Sequence, residues 1–231
     1  MDKINVVNRE LPDGRIYTGE CIKHFGSIEF KGQGEMKYPN GDKYVGMFDG
    51  GFERGYGKYM FYDGDVHYGW FNDGIPPSGT GFLDKKTTST KCLGSFYNGL
   101  PNGWAIRMVN GRPPQFGWWE DGTLVKNMTN AFMWIFEKIR DETKGDMIQI
   151  YDNGMFGFGK PQGDCDTFYG FLFDKEGTVS LGNAWNFNKD HHCAIFKNDG
   201  SLVFDEYNDG EFVKHSSPED ILWNFRLRVE E

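Results

Sequence analysis

The stretch YPNGDKYVGMFDGGFERGYG (residues 38–57) is followed by YDGDVHYGWFNDGIPPSGTG (residues 62–81), and the two segments align. Their turn glycines, Gly41 and Gly64, are 23 residues apart, and each precedes a second glycine by five residues. These second glycines recur along the chain at spacings of 23 to 27 residues: Gly19, Gly46, Gly69, Gly94 and Gly117. A period of this length is typical of a repeat architecture in which each unit is one small supersecondary element.

Each unit has the sequence pattern of a β-hairpin. The tripeptides Pro-Asn-Gly and Tyr-Asp-Gly are turn signals, because glycine adopts positive φ without steric cost. Tyr44, Gly46 and Phe48 alternate onto one face of the strand that follows the first turn. A glycine in this position leaves room for an aromatic ring to lie flat across the backbone. The pattern therefore predicts antiparallel hairpins that bury an aromatic face by stacking on their neighbours.

The segment YVGMFDGGFERGYGKYMFYDGDVHYG (residues 44–69) resembles the MORN repeat (membrane occupation and recognition nexus), whose pattern is roughly YxGxWxxGxxxGxGxxxxxxG. The resemblance extends over residues 17–122, although residues 92–94 read CLG where YxG is expected. It implies a mainly β fold, an elongated and twisted antiparallel sheet of stacked hairpins of about 23 residues each. It also implies a scaffold that binds other proteins, often as an elongated dimer, and for some members a lipid-binding role.

The same period continues into the second half of the chain. Gly154, Gly177 and Gly200 are also 23 residues apart, and each lies in a turn signal. EGTVSLG (residues 176–182) aligns with DGDVHYG (residues 63–69) without a gap. We therefore expect residues 147–213 to form degenerate hairpins of the same MORN type.

Two segments depart from the repeat pattern, and we expect both to be helical. An inserted helix is predicted over about 129–144, where apolar residues recur at helical spacing: Phe132, Ile135, Phe136 and Ile139. A C-terminal capping helix is predicted over about 217–229, with Ser217 as its N-cap. The chain is thus predicted to have four parts: a MORN-repeat block (1–126), a helical insertion (127–146), degenerate hairpins (147–215) and the capping helix (216–231).

Composition and charge exclude several classes of function. The chain has 25 basic and 34 acidic residues and a formal net charge of -9, which argues against a nucleic-acid groove. It has no apolar stretch near the roughly 18 residues that a membrane span requires. Its first residues show no apolar signal segment, and its four cysteines are scattered. These features predict a cytoplasmic protein with reduced thiols.

The tetrapeptide DHHC at residues 190–193 is the signature of protein palmitoyltransferases, but that family places it in a cysteine-rich zinc domain flanked by membrane spans. Cys193 precedes Gly200 by seven residues, the same distance that separates Gly57 from Gly64. The repeat spacing therefore predicts that this segment begins a β-strand of a degenerate hairpin.

A zinc site is the alternative for His191, His192 and Cys193, and it would need further ligands, of which Cys165 and Asp166 are the least implausible donors. The chain contains no GxSxG, HExxH or Cys/His catalytic pattern. We therefore expect no metal, no cofactor and no catalytic residue, and we expect that the protein is not an enzyme.

Aromatic side chains are expected to line a groove along the sheet, where they would suit a peptide, a helix or a protein surface. The candidate binding residues are Tyr44, Phe48, Trp70, Phe71, Trp118 and Trp119. The leading hypothesis is a non-enzymatic scaffold with a protein or peptide partner, and a homodimer is an additional expectation. One alternative is a peripheral phospholipid-binding or membrane-tethering protein, against which the negative charge weighs. The other is an effector-type protein with a small-molecule pocket or an uncharacterised enzymatic activity.

Overall fold

A computed structural model of the chain describes residues 2–24, 26–72, 74, 78–132, 148–150, 156–162, 167–185, 188–197, 199–208 and 211–215. These residues form the following strands: β1 (Asp2–Glu10), β2 (Ile16–His24), β3 (Ser27–Lys37), β4 (Lys43–Asp49), β5 (Phe52–Met60), β6 (Val66–Phe71), β7 (Gly79–Lys85), β8 (Thr90–Tyr97), β9 (Leu100–Val109), β10 (Gln115–Glu120), β11 (Thr123–Asn127), β12 (Ile148–Ile150), β13 (Phe156–Gln162), β14 (Thr167–Phe173), β15 (Val179–Trp185), β16 (Asn188–Phe196), β17 (Leu202–Asn208) and β18 (Glu211–His215).

In the described part of the chain, these strands form two sheets. The first has eleven strands in the order β1 to β11, and the second has seven strands in the order β12 to β18. Within each sheet, every strand is hydrogen-bonded to the next one along the chain, and the strand pairs whose register is described are antiparallel. The prediction of a mainly β protein built from successive hairpins is confirmed.

The predicted helices have a different outcome. Thr129–Phe132, at the start of the predicted insertion, form a short 3-10 helix rather than the first turn of an α-helix. The remainder of the predicted inserted helix and the whole predicted capping helix (217–229) lie outside the described residues. Among the described residues there is no α-helix, and the other helical segment is the 3-10 turn Lys86–Thr88.

The chain divides into two compact units. Unit 1 comprises Met1–Asn102 and Arg107–Pro113, and unit 2 comprises Gly103–Ile106 and Pro114–Glu231. Strand β9 therefore contributes its middle residues to unit 2 and its two ends to unit 1.

A row of paired glycines crosses seven strands of the first sheet, from β2 to β8. Each glycine lies directly opposite the next in the register, in the order Gly19, Gly34, Gly46, Gly57, Gly69, Gly81 and Gly94. Directly opposed residues share one face of a sheet. The row therefore leaves a strip of that face without side chains, and we call this side of the sheet the glycine face.

Aromatic rings fill this strip. A Cβ atom on Gly34 would lie 2.7 Å from Cε2 of Tyr17, and one on Gly57 would lie 2.5 Å from Cε2 and Cζ of Tyr44. The Tyr17 hydroxyl donates a hydrogen bond to the carbonyl of Glu20, three residues on (2.7 Å). The Tyr44 hydroxyl does the same to Met47 (3.0 Å). Each tyrosine ring thus lies flat across a glycine pair, and its hydroxyl group is hydrogen-bonded to the backbone.

The core of unit 1 lies on the glycine face. Tyr17, Tyr44, Phe48 and Phe71 are all at most 1% exposed. Phe48 packs edge-on against both tyrosines, with ring centroids 5.0 Å from Tyr17 and 5.2 Å from Tyr44, and Phe71 packs edge-on 4.9 Å from Tyr44. Such edge-to-face contacts suit the quadrupoles of aromatic rings. The stacked repeats therefore share one continuous aromatic core.

Buried aspartates link the turns of successive repeats. Asp42 follows one turn, and its carboxylate accepts a hydrogen bond from the backbone N–H of Tyr62 in the next turn (2.8 Å). It also accepts a hydrogen bond from the hydroxyl of Tyr59. Asp65, one repeat later, accepts from the backbone N–H of Thr87 (3.2 Å). Both carboxylates are only 6% exposed, so these bonds satisfy charged groups that would otherwise be costly to bury.

Unit 2 has its own aromatic core. Trp104 of β9 donates its indole N–H to the carbonyl of Lys197 (2.9 Å) and packs 4.8 Å from the ring of Phe196. Phe116 of β10 lies 4.7 Å from Phe171 and 4.9 Å from Phe196. Residues of β9 and β10 therefore pack directly on strands β14 and β16 of the second sheet within this unit.

The repeat spacing correctly predicted local structure in the second half. Gly177 and Gly200 lie in turns with φ of 84° and 80°, whereas Gly154 is outside the described residues. The DHHC segment lies in strand β16, as predicted. There Cys193 pairs with Asp205, the equivalent of the pair formed by Gly57 with Gly69.

We expect Gly57→Ala to lower the free energy of unfolding by about 1–3 kcal/mol, because the new methyl group overlaps the ring of Tyr44. Gly57 has no positive φ, so the effect comes from crowding rather than from backbone strain. Chemical denaturation followed by circular dichroism measures it. The matched control is Lys58→Ala on the opposite face of the same strand, which should change stability by less than about 1 kcal/mol. Equal losses in the two variants would show that the ring is not held against the glycine row.

Candidate binding face of unit 1

Four of the six aromatic residues predicted to line a groove are buried in the cores. Tyr44, Phe48 and Phe71 lie on the glycine face of unit 1, and Trp119 is buried in unit 2, where its indole N–H donates to the carbonyl of Ala105 (3.1 Å). None of the four is more than 1% exposed, although Phe48 is among the residues that line the groove described below. The expectation that these four rings form an open aromatic surface is wrong, because they are buried in the cores of the two units.

The other two predicted residues, Trp70 and Trp118, are half-buried. Trp118 belongs to unit 2, where its ring lies 5.5 Å from that of Trp104 and its indole N–H donates to the Glu120 carboxylate (3.3 Å). Trp70 belongs to unit 1 and lies on the side of strand β6 opposite the glycine row. Of the predicted set, Trp70 thus remains as a partly accessible ring on the first unit.

The side of the first sheet opposite the glycine face is called the open face. The register of strands β3 to β8 places one row of directly paired residues there: Glu35, Val45, Lys58, Tyr68, Phe82 and Leu93. A neighbouring pair on the same face joins Tyr56 of β5 to Trp70 of β6. Phe82 and Leu93 are buried, whereas Tyr56, Tyr68 and Trp70 are half-buried. The accessible aromatic surface is therefore centred on strands β5 and β6.

The three half-buried rings are held by contacts within the sheet. The rings of Tyr56 and Trp70 lie edge to face at 6.4 Å, and those of Tyr68 and Phe82 are stacked at 6.3 Å with an interplanar angle of 16°. The ammonium group of Lys58 lies 4.9 Å above the ring of Tyr68, a cation–π contact. The rings form a fixed surface with apolar faces and polar edges. Tyr56 and Tyr68 were not among the predicted residues, although period-two alternation separates them from the core aromatics.

A groove crosses the open face at one end of strands β1 to β5. Its volume is about 530 Å³. The lining residues that matter for its chemistry are Lys3, Glu20, Lys31, Met47, Asp49 and Arg54. Arg54, which lines the groove, lies two residues before Tyr56 on β5, so both side chains are on the open face of that strand. The groove therefore continues into the surface formed by the half-buried rings.

The charges in the groove are partly paired. The Asp49 carboxylate lies 2.9 Å from the Lys31 ammonium and 3.6 Å from the Arg54 guanidinium. The hydrogen bond from Lys31 lowers the pKa of Asp49 below its usual range, and the same bond raises the pKa of Lys31. The Glu20 carboxylate accepts a hydrogen bond from the backbone N–H of Gln33 (2.8 Å). Glu20 thus accepts a hydrogen bond from the backbone, whereas Asp49 forms ion pairs with Lys31 and Arg54.

Two titratable groups on the glycine face are buried beyond the reach of a ligand. Burial raises the pKa of the Cys92 thiol to about 12, which keeps it protonated at neutral pH. His67 occupies the position that Tyr44 holds one repeat earlier, and a Cβ atom on Gly81 would lie 2.7 Å from its Nε2. This Nε2 has no hydrogen-bond partner in the described part of the chain, and burial lowers the pKa of His67 to about 3. The imidazole therefore acts as a neutral core ring.

The described residues contain no group of three or more His, Cys, Asp or Glu side chains placed to hold a metal ion. The side chains of residues 191–193 are outside this description, so the proposed absence of a zinc site there stays a prediction. None of the helical segments within the described ranges could span a lipid bilayer.

No protein-family model matches the chain, and no curated protein matches it. Among solved structures, it is similar to the TCP domain of SAS-4 (dCPAP) of Drosophila melanogaster, in complex with a proline-rich motif of Ana2 (dSTIL). The match covers 85% of this chain and 89% of that chain, at 11% sequence identity and a TM-score of 0.27. A TM-score of this size does not establish a shared fold, so the similarity has no bearing on function.

We expect the folded protein to lose stability as the pH falls below about 6.5, partly because of His67. The imidazole binds a proton in the unfolded chain near that pH but in the folded chain only near pH 3, so acid favours unfolding. The contribution of this group is at most about 1.4 kcal/mol per pH unit. His67→Phe should reduce the slope between pH 6.5 and 4.5, and at pH 7.5 it should be at least as stable as the parent because it removes an unsatisfied nitrogen.

Denaturant titrations across this pH range measure both effects. The control is His24→Phe, which changes an exposed histidine of the same unit. It should leave the slope of unfolding free energy against pH equal to that of the parent protein. An unchanged slope in His67→Phe would show that the imidazole is not held neutral in the core.

Proposed function

We propose that this protein is a non-enzymatic binding module of MORN type that holds a peptide or protein segment across the open face of unit 1. The observation that carries the proposal is the surface formed by Tyr56, Tyr68 and Trp70, which are half-buried on the side of the sheet opposite the core. The groove that adjoins these rings extends the same surface towards strand β1.

The chemistry of these rings favours recognition of a partner. Tyrosine and tryptophan combine a large apolar area with a polar edge, and they are enriched among the residues that dominate protein–protein binding. Here the ring contacts between Tyr56 and Trp70 and between Tyr68 and Phe82 hold the surface in place before a partner arrives. A preformed surface loses little conformational entropy on binding, which raises affinity.

The repeat architecture supports the same function. In strands β4 to β6, the aromatic rings of the core pack on the glycine face. Side chains at the alternate positions of β4 to β6 are therefore not required to fill the core. Val45 and Met47 at these positions are 38% and 36% exposed, and they enlarge the apolar area around the rings. When one face of a regular sheet is buried in the core, the other face is available to a ligand, as expected of a repeat scaffold.

We expect Tyr56→Ala combined with Trp70→Ala to weaken binding at least tenfold, because both rings lie at the centre of the proposed surface. The test selects peptide ligands from a random displayed library on the immobilised parent protein, and then measures their affinity for each variant by fluorescence anisotropy. The matched control is Tyr62→Ala, which removes a 77% exposed tyrosine from a turn. It should leave affinity unchanged.

Circular dichroism spectra and unfolding midpoints of the variants confirm that the fold is retained. The proposal would be contradicted if the selected peptides bound the double variant as tightly as the parent, or if the turn variant lost affinity equally.

A further inference from the structure

We infer that the chain modifies itself at two turns, Asn98–Gly99 and Asn110–Gly111, by spontaneous deamidation, whereas the fold protects a third turn of the same sequence, Asn40–Gly41. The reaction converts the asparagine amide into a carboxylate, and part of the product is isoaspartate. This inference goes beyond the proposed binding function and does not depend on it. It follows from where the glycine N–H groups and the asparagine amides find hydrogen-bond partners.

Deamidation uses the backbone of the chain as its nucleophile. It is favoured where glycine follows asparagine, because glycine has no Cβ atom to obstruct its backbone nitrogen. A base from solvent first removes the proton of the glycine N–H. The nitrogen then attacks Cγ of the asparagine, a C–N bond forms that closes a succinimide ring, and the bond from Cγ to Nδ2 breaks. Nδ2 takes up a proton and leaves as ammonia. Water then opens the ring at either carbonyl and gives aspartate or isoaspartate.

The chain has five Asn-Gly pairs, which begin at residues 40, 98, 102, 110 and 153. Asn153 lies outside the described residues. Asn102 and Gly103 lie within strand β9, where Gly103 is buried. The other three pairs lie in turns, and all three of their asparagines are exposed. Exposure alone therefore does not distinguish the protected turn from the two reactive ones.

The two reactive turns leave the attacking nitrogen available. Asn98 and Gly99 form the two-residue loop between β8 and β9, with φ of 51° and 76°, as in a type I′ turn. Gly111, with φ of 74°, follows Asn110 in a turn closed by a hydrogen bond of 3.0 Å between the two flanking residues. Within the described ranges, the N–H groups of Gly99 and Gly111 donate no hydrogen bond. A base from solvent can therefore remove either proton without breaking such a bond.

The side-chain amides of these two turns are also available. In the described part of the chain, neither the amide of Asn98 nor that of Asn110 forms a hydrogen bond. The bonds that these residues form involve their own backbone N–H groups, which donate to Oγ of Ser78 (3.0 Å) and to the carbonyl of Ser89 (3.1 Å). Those groups take no part in the reaction. Each side chain can therefore rotate to bring Cγ towards the following nitrogen.

The same groups are all bonded at Asn40. The N–H of Gly41 donates to the carbonyl of Tyr38 (3.0 Å). Nδ2 of Asn40 donates to the Asp42 carboxylate (2.7 Å), and Oδ1 accepts from the backbone N–H of Asp42 (3.1 Å). These bonds have to break before the nitrogen can attack Cγ. Each such bond contributes a factor of roughly two to ten, so deamidation of Asn40 should be at least about tenfold slower than that of Asn98 or Asn110.

The test incubates the full chain in its folded state at neutral and at mildly alkaline pH. Peptide mapping by liquid chromatography and mass spectrometry measures conversion at each asparagine and separates aspartate from isoaspartate. Asn98 and Asn110 should convert at least about tenfold faster than Asn40, and the rate should rise with pH because a base removes the N–H proton. Each event should change the formal net charge from -9 to -10, which native ion-exchange chromatography detects.

Denaturant and three matched variants separate the fold from the local sequence. In denaturant the three sites should react at similar rates, because the hydrogen bonds that protect Asn40 are absent there. Asn98→Gln and Asn110→Gln should each remove the acidic form that arises at that site, since a longer side chain has to close a larger ring. The matched control, Asn40→Gln, should leave the ion-exchange profile of the folded protein as it is in the parent. Circular dichroism verifies that each variant is folded.

Several results would overturn the inference. One is an equal rate at Asn40 and at either of the other two sites in the folded protein. Another is a difference between the sites that persists in denaturant, which would assign the selectivity to neighbouring residues rather than to the fold. A third is an acidic form that survives in the combined Asn98 and Asn110 variant and disappears in Asn40→Gln. None of these results bears on the proposed function, which the selected peptides test separately.

Discussion

The direct opposition of glycine to glycine across strands β2 to β8 is the constraint on which the rest of unit 1 depends. A side chain at Gly46 or Gly57 would overlap the ring of Tyr44, so the ring lies flat only because both positions lack a Cβ atom. The tyrosine hydroxyl can then reach a backbone carbonyl three residues on. Each repeat therefore has to return a glycine to the same row. Any shift in register would place a side chain under a ring.

This arrangement separates the two faces of the sheet chemically. The glycine face holds the aromatic core, together with a buried neutral histidine and a buried thiol. The open face holds half-buried rings, partly exposed aliphatic side chains and the ion pairs formed by Asp49 and Glu35. Under the proposed function, stability and recognition depend on alternate residues of strands β4 to β6. Substitutions of Tyr56, Tyr68 or Trp70 should then alter binding while the packing on the glycine face is retained.

The sequence was sufficient to predict hairpins, their turns and their period, because these depend on local glycine positions. It also predicted that the DHHC segment lies in a strand, since Cys193 and Asp205 keep the register of Gly57 and Gly69. It also predicted that Tyr44, Gly46 and Phe48 share the aromatic face that the hairpins bury. The candidate binding residues, however, were drawn from both faces: Tyr44 and Phe48 are buried, whereas the half-buried Tyr56 was overlooked. Alternation defines two faces, but only tertiary packing determines which one is covered.

The glycine face of unit 1 is inaccessible, whereas the open face is accessible around strands β5 and β6. Tyrosine nitration of the native protein, followed by quantitative peptide mass spectrometry, tests this claim most directly. Tyr56 and Tyr68 should react at rates approaching that of Tyr62, which is 77% exposed in a turn, whereas Tyr17 and Tyr44, which are fully buried, should stay unmodified until the protein unfolds. Rapid nitration of Tyr44 in the folded protein, or protection of Tyr56 equal to that of Tyr44, would contradict the account.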